Sequence, residues 1–99
     1  MRLPEIKNIF NKMNKEIKEL RSQSKELEPI VRIGKNGLTE GMLKQLYRLL
    51  EQKAMIKIKL LKSSFVGNEK EQFIEELVMK TQSQLVDSIG NVVVIYKKP

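Results

Sequence analysis

Leu3, Ile6, Phe10, Met13, Ile17, Leu20 and Leu27 recur at spacings of three and four, with one final step of seven. Apolar residues at that spacing make one stripe along an α-helix. The pattern predicts a first helix from about Pro4 to Leu27. Pro29 closes it, because a proline ring holds the preceding Glu28 out of the helical region. The stripe is close to a heptad repeat, so two roles stay open: docking on the domain's own core, or pairing with another chain. Polar Ser24 occupies one position of the seam.

The pattern then changes period. Ile30, Val31 and Ile33 form a short apolar run that predicts a strand over residues 30–33, stopped at Gly34-Lys35-Asn36-Gly37. Thr39 suits a helix N-cap, and Met42, Leu43, Leu46, Leu49 and Leu50 mark a helical face through about Lys53. Gly41, near the start of that helix, costs about 1 kcal/mol relative to alanine. A glycine there suits a helix end that a ligand or another backbone must approach closely. From Met55 to Leu61 the period becomes two, with Ile56, Ile58 and Leu60 on one face and Lys57 and Lys59 on the other, a half-buried strand. Asn68 with Glu71 resembles a capping box, and Phe73, Ile74, Leu77 and Val78 continue a helix from about Gly67 to Thr81. Two last apolar runs, Leu85–Ile89 and Val92–Tyr96, are joined by Gly90-Asn91, a strong hairpin signal. The continuous run Val92-Val93-Val94-Ile95 predicts a well-buried strand.

The predicted order is α-β-α-β-α-β-β: a two-layer α/β domain whose four-stranded mixed sheet has the hairpin as its antiparallel part. The chain of 99 residues suits one domain spanning 1–99. No run of 18 apolar residues exists, so no membrane partner is expected. The first residues lack the apolar centre of a signal peptide, which leads to the expectation of a cytoplasmic protein.

There is no cysteine and no histidine, which removes thiol chemistry, the commonest general base and the commonest zinc ligand. Gly34, Gly37 and Gly41 fit neither a P-loop nor the dinucleotide fingerprint. Ser63 and Ser64 have no histidine to activate them, and Glu69, Glu71, Glu75 and Glu76 suit a solvated helix face. No catalytic residue, metal or cofactor is expected.

Charge points elsewhere. The formal net charge is +7, and residues 30–65 hold eight basic groups (Arg32, Lys35, Lys44, Arg48, Lys53, Lys57, Lys59, Lys62) against Glu40 and Glu51. Such clustering fits a polyanion partner. Within this segment the Gly-x-x-Gly loop follows a strand, opens a helix and carries Lys35. Its amides and the positive end of the helix make a seat for a phosphate or other anion; the alternative is an ordinary strand-to-helix turn with two glycines. The loop is not placed as in a KH domain, where it joins two helices and clamps nucleic-acid backbone. Lys44 and Arg48 stand one turn apart on the helix that the loop opens, where they can follow a backbone leading from it. Lys57 and Lys59 either continue a basic stripe beside the loop or simply solvate one strand face. The few aromatics mostly fit core positions, so base stacking is not the expected mode; Phe65 is expected to pack beneath the loop before the third helix.

The segments Pro29 to Gly41, Leu50-Glu51, Ile56 to Lys59, and Ile89-Gly90-Asn91 through Ile95-Tyr96-Lys97 resemble a CRM domain. This is the chloroplast RNA splicing and ribosome maturation domain, which also stands alone in prokaryotes. Leu20-Arg21 and Leu27-x-Pro29 follow its first-helix pattern, and the resemblance spans about residues 13–98, leaving 1–12 as an N-terminal helix extension. The chain departs from the family at Gln23, Lys25 and Ala54. The resemblance implies a fold similar to the C-terminal domain of translation initiation factor three. It also implies a non-catalytic RNA-binding protein associated with precursors of the large ribosomal subunit. Carried over by position, Gly34, Lys35, Asn36 and Gly37 would contact RNA; charge and placement add Arg21, Lys44, Arg48 and Lys57. A monomer is expected. The alternative is a protein-interaction module that docks on a ribosomal protein or dimerises through its first helix.

Overall fold

The computed structural model describes residues 17–65 and 69–98. Residues 17–24 are helical (α1). Then follow β1 (Val31–Ile33), α2 (Glu40–Lys53), β2 (Met55–Leu60), a 3-10 turn (Lys62–Ser64), α3 (Lys70–Thr81), β3 (Gln84–Ile89) and β4 (Val92–Tyr96). The strands form one sheet in the order β1-β2-β4-β3. β1 pairs parallel to β2, while β4 is antiparallel to both β2 and β3. This is the four-stranded mixed sheet that the apolar pattern predicts.

Alternation decides which side chains meet. Val31, Ile33, Ile56, Ile58, Leu60, Val93 and Ile95 share one sheet face with Leu46 and Leu50 of α2 and Ile74 and Leu77 of α3. Full burial of such a side chain contributes about 1.5–3 kcal/mol, so this layer is the main source of stability. Phe65 packs partly buried against the same cluster. Tyr47 ties the two helices together, its hydroxyl donating to the Lys80 carbonyl at 2.6 Å.

Val94 and Val86 are buried outside that cluster, on the far face, which α1 partly covers. Arg21 of α1 donates its Nε–H to the Val86 carbonyl (3.3 Å). Val86 is the extra residue of a β-bulge, since Leu85 pairs with Ile95 and Asp87 with the next residue, Val94. The extra residue turns Val86 and Asp87 toward α1 and sharpens the local twist. Sequence periodicity carried no sign of it.

Several boundaries differ from the pattern. The first helix stops at Ser24 rather than Leu27. Ser24 is buried, its hydroxyl donating to the Arg21 carbonyl at 2.7 Å, and i→i+3 backbone bonds tighten the exit through Leu27. Hydrogen bonding of serine to its own backbone competes with helix continuation. The predicted helical stretch 4–16 and the cap at Asn68 lie outside the described residues. β1 begins at Val31, although Ile30 still donates its N–H to the Lys57 carbonyl (3.0 Å). At the hairpin, Gly90 takes φ +59°, the left-handed value that primed turns require of a central residue.

Candidate nucleic-acid interface

The Gly34–Gly37 loop is a single tight turn. Gly37 donates its N–H to the Gly34 carbonyl at 2.9 Å. Gly37 lies at φ +64°, while Lys35 and Asn36 keep negative φ, as in a type I turn followed by a left-handed glycine. Both central residues are exposed, so the turn presents Lys35 and Asn36 to solvent. The glycines have different reasons. Gly37 needs its backbone freedom, whereas a Cβ on Gly34 would stand 3.3 Å from Leu61 Cδ1. Leu61 N–H in turn donates to the Ile33 carbonyl (2.9 Å), which draws the two segments together.

Beyond the turn, Thr39 caps α2 as its sequence predicts, its hydroxyl accepting from Met42 N–H at 3.1 Å. The first-turn amides of α2 therefore open beside Lys35 and Asn36, with the positive end of the helix dipole. Among the described residues no backbone outside this helix start approaches Gly41. A Cβ there would meet only Thr39 Oγ1 at 3.9 Å, so packing does not demand glycine.

Three further elements converge on this end of the sheet. The 3-10 turn Lys62–Ser64 follows β2 directly and lies against Gly34, where a Cβ on the glycine would stand 3.9 Å from Ser63 Oγ. The hairpin is held there by Leu60 N–H donating to the Asn91 carbonyl (2.7 Å). The start of α3 is pinned by Lys70 Nζ donating to the Gly90 carbonyl. Lys62 is thus brought beside the loop that carries Lys35. In the sequence Lys62 belongs to the basic segment, but no periodicity marks the turn that brings it to the loop.

The sequence-predicted residues divide into two groups. Gly34, Lys35, Asn36 and Gly37 form the loop, and Lys44 and Arg48 lie on the exposed side of α2, away from buried Leu46 and Leu50. Arg21 and Lys57 are not part of this cluster. Lys57 points from β2 to the face opposite α2 and α3, and Arg21 is held by Val86 on that same face, 4.0 Å from Asp87. The loop group can hold phosphate oxygens through backbone amides and lysine charge. Among the described residues no cluster of three or more acidic, histidine or cysteine side chains could hold a metal. No described helix is long and apolar enough to cross a membrane.

Comparison with known proteins agrees with the fold. The chain is 39% identical over 79 residues to the Bacillus subtilis protein named Probable RNA-binding protein YqeI, covering 80% of each. It is 35% identical to Probable RNA-binding protein PA4753 of Pseudomonas aeruginosa over 81 residues, 82% of this chain and 76% of that one. The solution structure of the hypothetical protein SAV1595 from Staphylococcus aureus superposes with a TM-score of 0.71 at 38% identity, covering 86% of both chains. The family pattern of the CRS1 / YhbY (CRM) domain matches residues 13–97. With that match over most of its length and the mixed sheet behind the loop, the chain belongs to the CRS1 / YhbY (CRM) domain family.

Proposed function

We propose that this chain is a non-catalytic RNA-binding protein that grips structured RNA by its phosphates and assists assembly of the large ribosomal subunit from its RNA precursor, acting in the cytoplasm as a monomer. The observation that carries this reading is the Gly34–Gly37 turn, which exposes Lys35 and Asn36 beside the N-terminus of α2. Lys35 supplies charge, Asn36 a neutral amide donor, and the α2 amides further donors to the same oxygen cluster. Lys44 and Arg48 extend the contact along α2, and Lys62 flanks it. The names of the Bacillus and Pseudomonas relatives support RNA as the ligand class.

The test is the double variant Lys35→Ala with Asn36→Ala, titrated against a stem-loop RNA. Both residues are exposed, so the expected result is weaker binding with a nearly unchanged melting temperature. Equal affinity would remove the loop from the interface. Crosslinking in cells followed by sequencing of the bound RNA tests the ribosomal part: enrichment of large-subunit precursor is expected, and its absence rejects that assignment.

A further inference from the structure

We infer that the sheet face opposite α2 and α3 is a second RNA surface, which binds an unpaired strand leading away from the loop. This rests on the reading of the chain as an RNA-binding protein. Arg32 of β1 and Lys59 of β2 are partners in parallel register, and both are exposed. Neighbouring strands lie about 4.8 Å apart, and Lys57 follows Lys59 on the same face about 7 Å along β2. Arg32 stands two residues before Gly34, so this row of cations begins where the loop begins.

The row ends at a groove of about 230 Å³ lined by Ser24, Lys25, Lys57, Asp87, Ile89, Val92 and Val94. Its walls combine apolar Ile89, Val92 and Val94 with two lysines, a mixture that suits the flat face of a base and the phosphate attached to it. Ile89 is 69% exposed, so its apolar surface is open to a ligand lying in this groove. The acidic group present, Asp87, is turned toward Arg21 and accepts from Ser88 N–H, so it opposes the lysines less than its charge suggests. Lys25, Arg32, Lys57 and Lys59 make no ion pair with a described carboxylate. Two of these cations line the apolar groove and two lead to it, a row that complements a single strand, whose phosphates and bases alternate.

The experiment measures binding of labelled oligouridine, and of an abasic ribose-phosphate polymer of equal length, by fluorescence anisotropy across a salt series. The variant Arg32→Gln with Lys59→Gln is expected to bind oligouridine on the order of tenfold more weakly at about 0.1 M salt, with the salt slope reduced by about 1.4. The exchange Arg32→Lys with Lys59→Arg keeps the charge and should keep the slope. Wild-type protein should prefer oligouridine over the abasic polymer; equal affinity overturns the groove as a base site. Unchanged oligouridine binding in the glutamine variant, while Lys35→Ala with Asn36→Ala weakens stem-loop binding, overturns the second surface and leaves the loop reading intact. The reverse pattern retains the second surface and rejects the loop. Loss of a ribonuclease-resistant protein partner with unchanged RNA binding also overturns it, in favour of a protein contact.

Discussion

Gly37 of the loop lies beside Phe73 of α3, so that a Cβ placed on the glycine would stand 3.7 Å from Phe73 Cε2. That is ordinary van der Waals contact, and space alone would admit an alanine. The obstacle is the backbone, at φ +64°. A left-handed conformation costs an L-residue about 1–2 kcal/mol. Gly37→Ala is therefore expected to destabilise the domain by about that amount, lowering the melting temperature by roughly 4–8 °C per kcal/mol in a domain of this size. Gly37→Asn should cost less, because asparagine enters this region more readily. Thermal unfolding of both variants checks the order.

Ala54 presents the opposite case. It ends α2 at φ +63°, ψ −40°, with its N–H donating to the Leu50 carbonyl and its carbonyl accepting from Lys97 N–H (2.8 Å). Two backbone bonds hold a residue with a Cβ where glycine is the usual occupant. Ala54→Gly should raise stability by about 1 kcal/mol as the strain is relieved, less the extra chain entropy of glycine in the unfolded state. A fall in the urea midpoint would reject strain at this residue.

Gly41 separates fold from function. Among the described residues outside the helix's own backbone, a methyl group at this site meets only Thr39 Oγ1, at 3.9 Å. Gly41→Ala should therefore stabilise α2 by up to about 1 kcal/mol. If a phosphate backbone comes against this side of the helix start, the same methyl group lies in its path. The expected outcome is a more stable protein that binds stem-loop RNA several-fold more weakly; unchanged affinity would place the RNA away from Gly41.

Lys44 and Arg48 make the phosphate reading quantitative. Four or five phosphate contacts predict that log affinity falls against log salt with a slope of about −3 to −4. Lys44→Gln or Arg48→Gln should each make the slope shallower by about 0.7–0.9 if the residue meets a phosphate. Neither side chain supports the core, so melting temperatures should not move. A wild-type slope in either variant removes that residue from the interface.

Much of this was legible in the residues, for physical reasons. The alternation from Met55 to Leu60 and the Gly90-Asn91 turn marked the strands because one buried face and one tight turn leave strong periodic signals. The loop was legible as a turn, because two glycines after an apolar run and before a threonine cap mark where a strand ends and a helix begins. The bulge at Val86 was not, since one inserted residue leaves no mark in a short apolar run. Nor was the place of Lys62, which depends on a 3-10 turn meeting Gly34 in space. Sidedness was also hidden: charge grouped Lys57 with Lys44, yet the sheet puts them on opposite faces.

Arg21 carries the last distinction, between a side chain that holds the fold and one that meets RNA. Sequence placed it among the contacts by its charge. In the structure its Nε–H donates to the Val86 carbonyl, and the guanidinium lies 4.0 Å from Asp87. The side chain is 51% exposed, so the ion pair itself contributes little in water. The hydrogen bond matters more, because the bulge leaves a carbonyl that needs a donor, at about 0.5–1.5 kcal/mol. Arg21→Lys keeps the charge and loses the Nε–H. If the residue holds α1 on the sheet, this variant should melt several degrees lower while its affinity for stem-loop RNA and its salt slope stay at wild-type values. If it meets a phosphate instead, Arg21→Gln should make the slope shallower while Arg21→Lys leaves both slope and melting temperature unchanged.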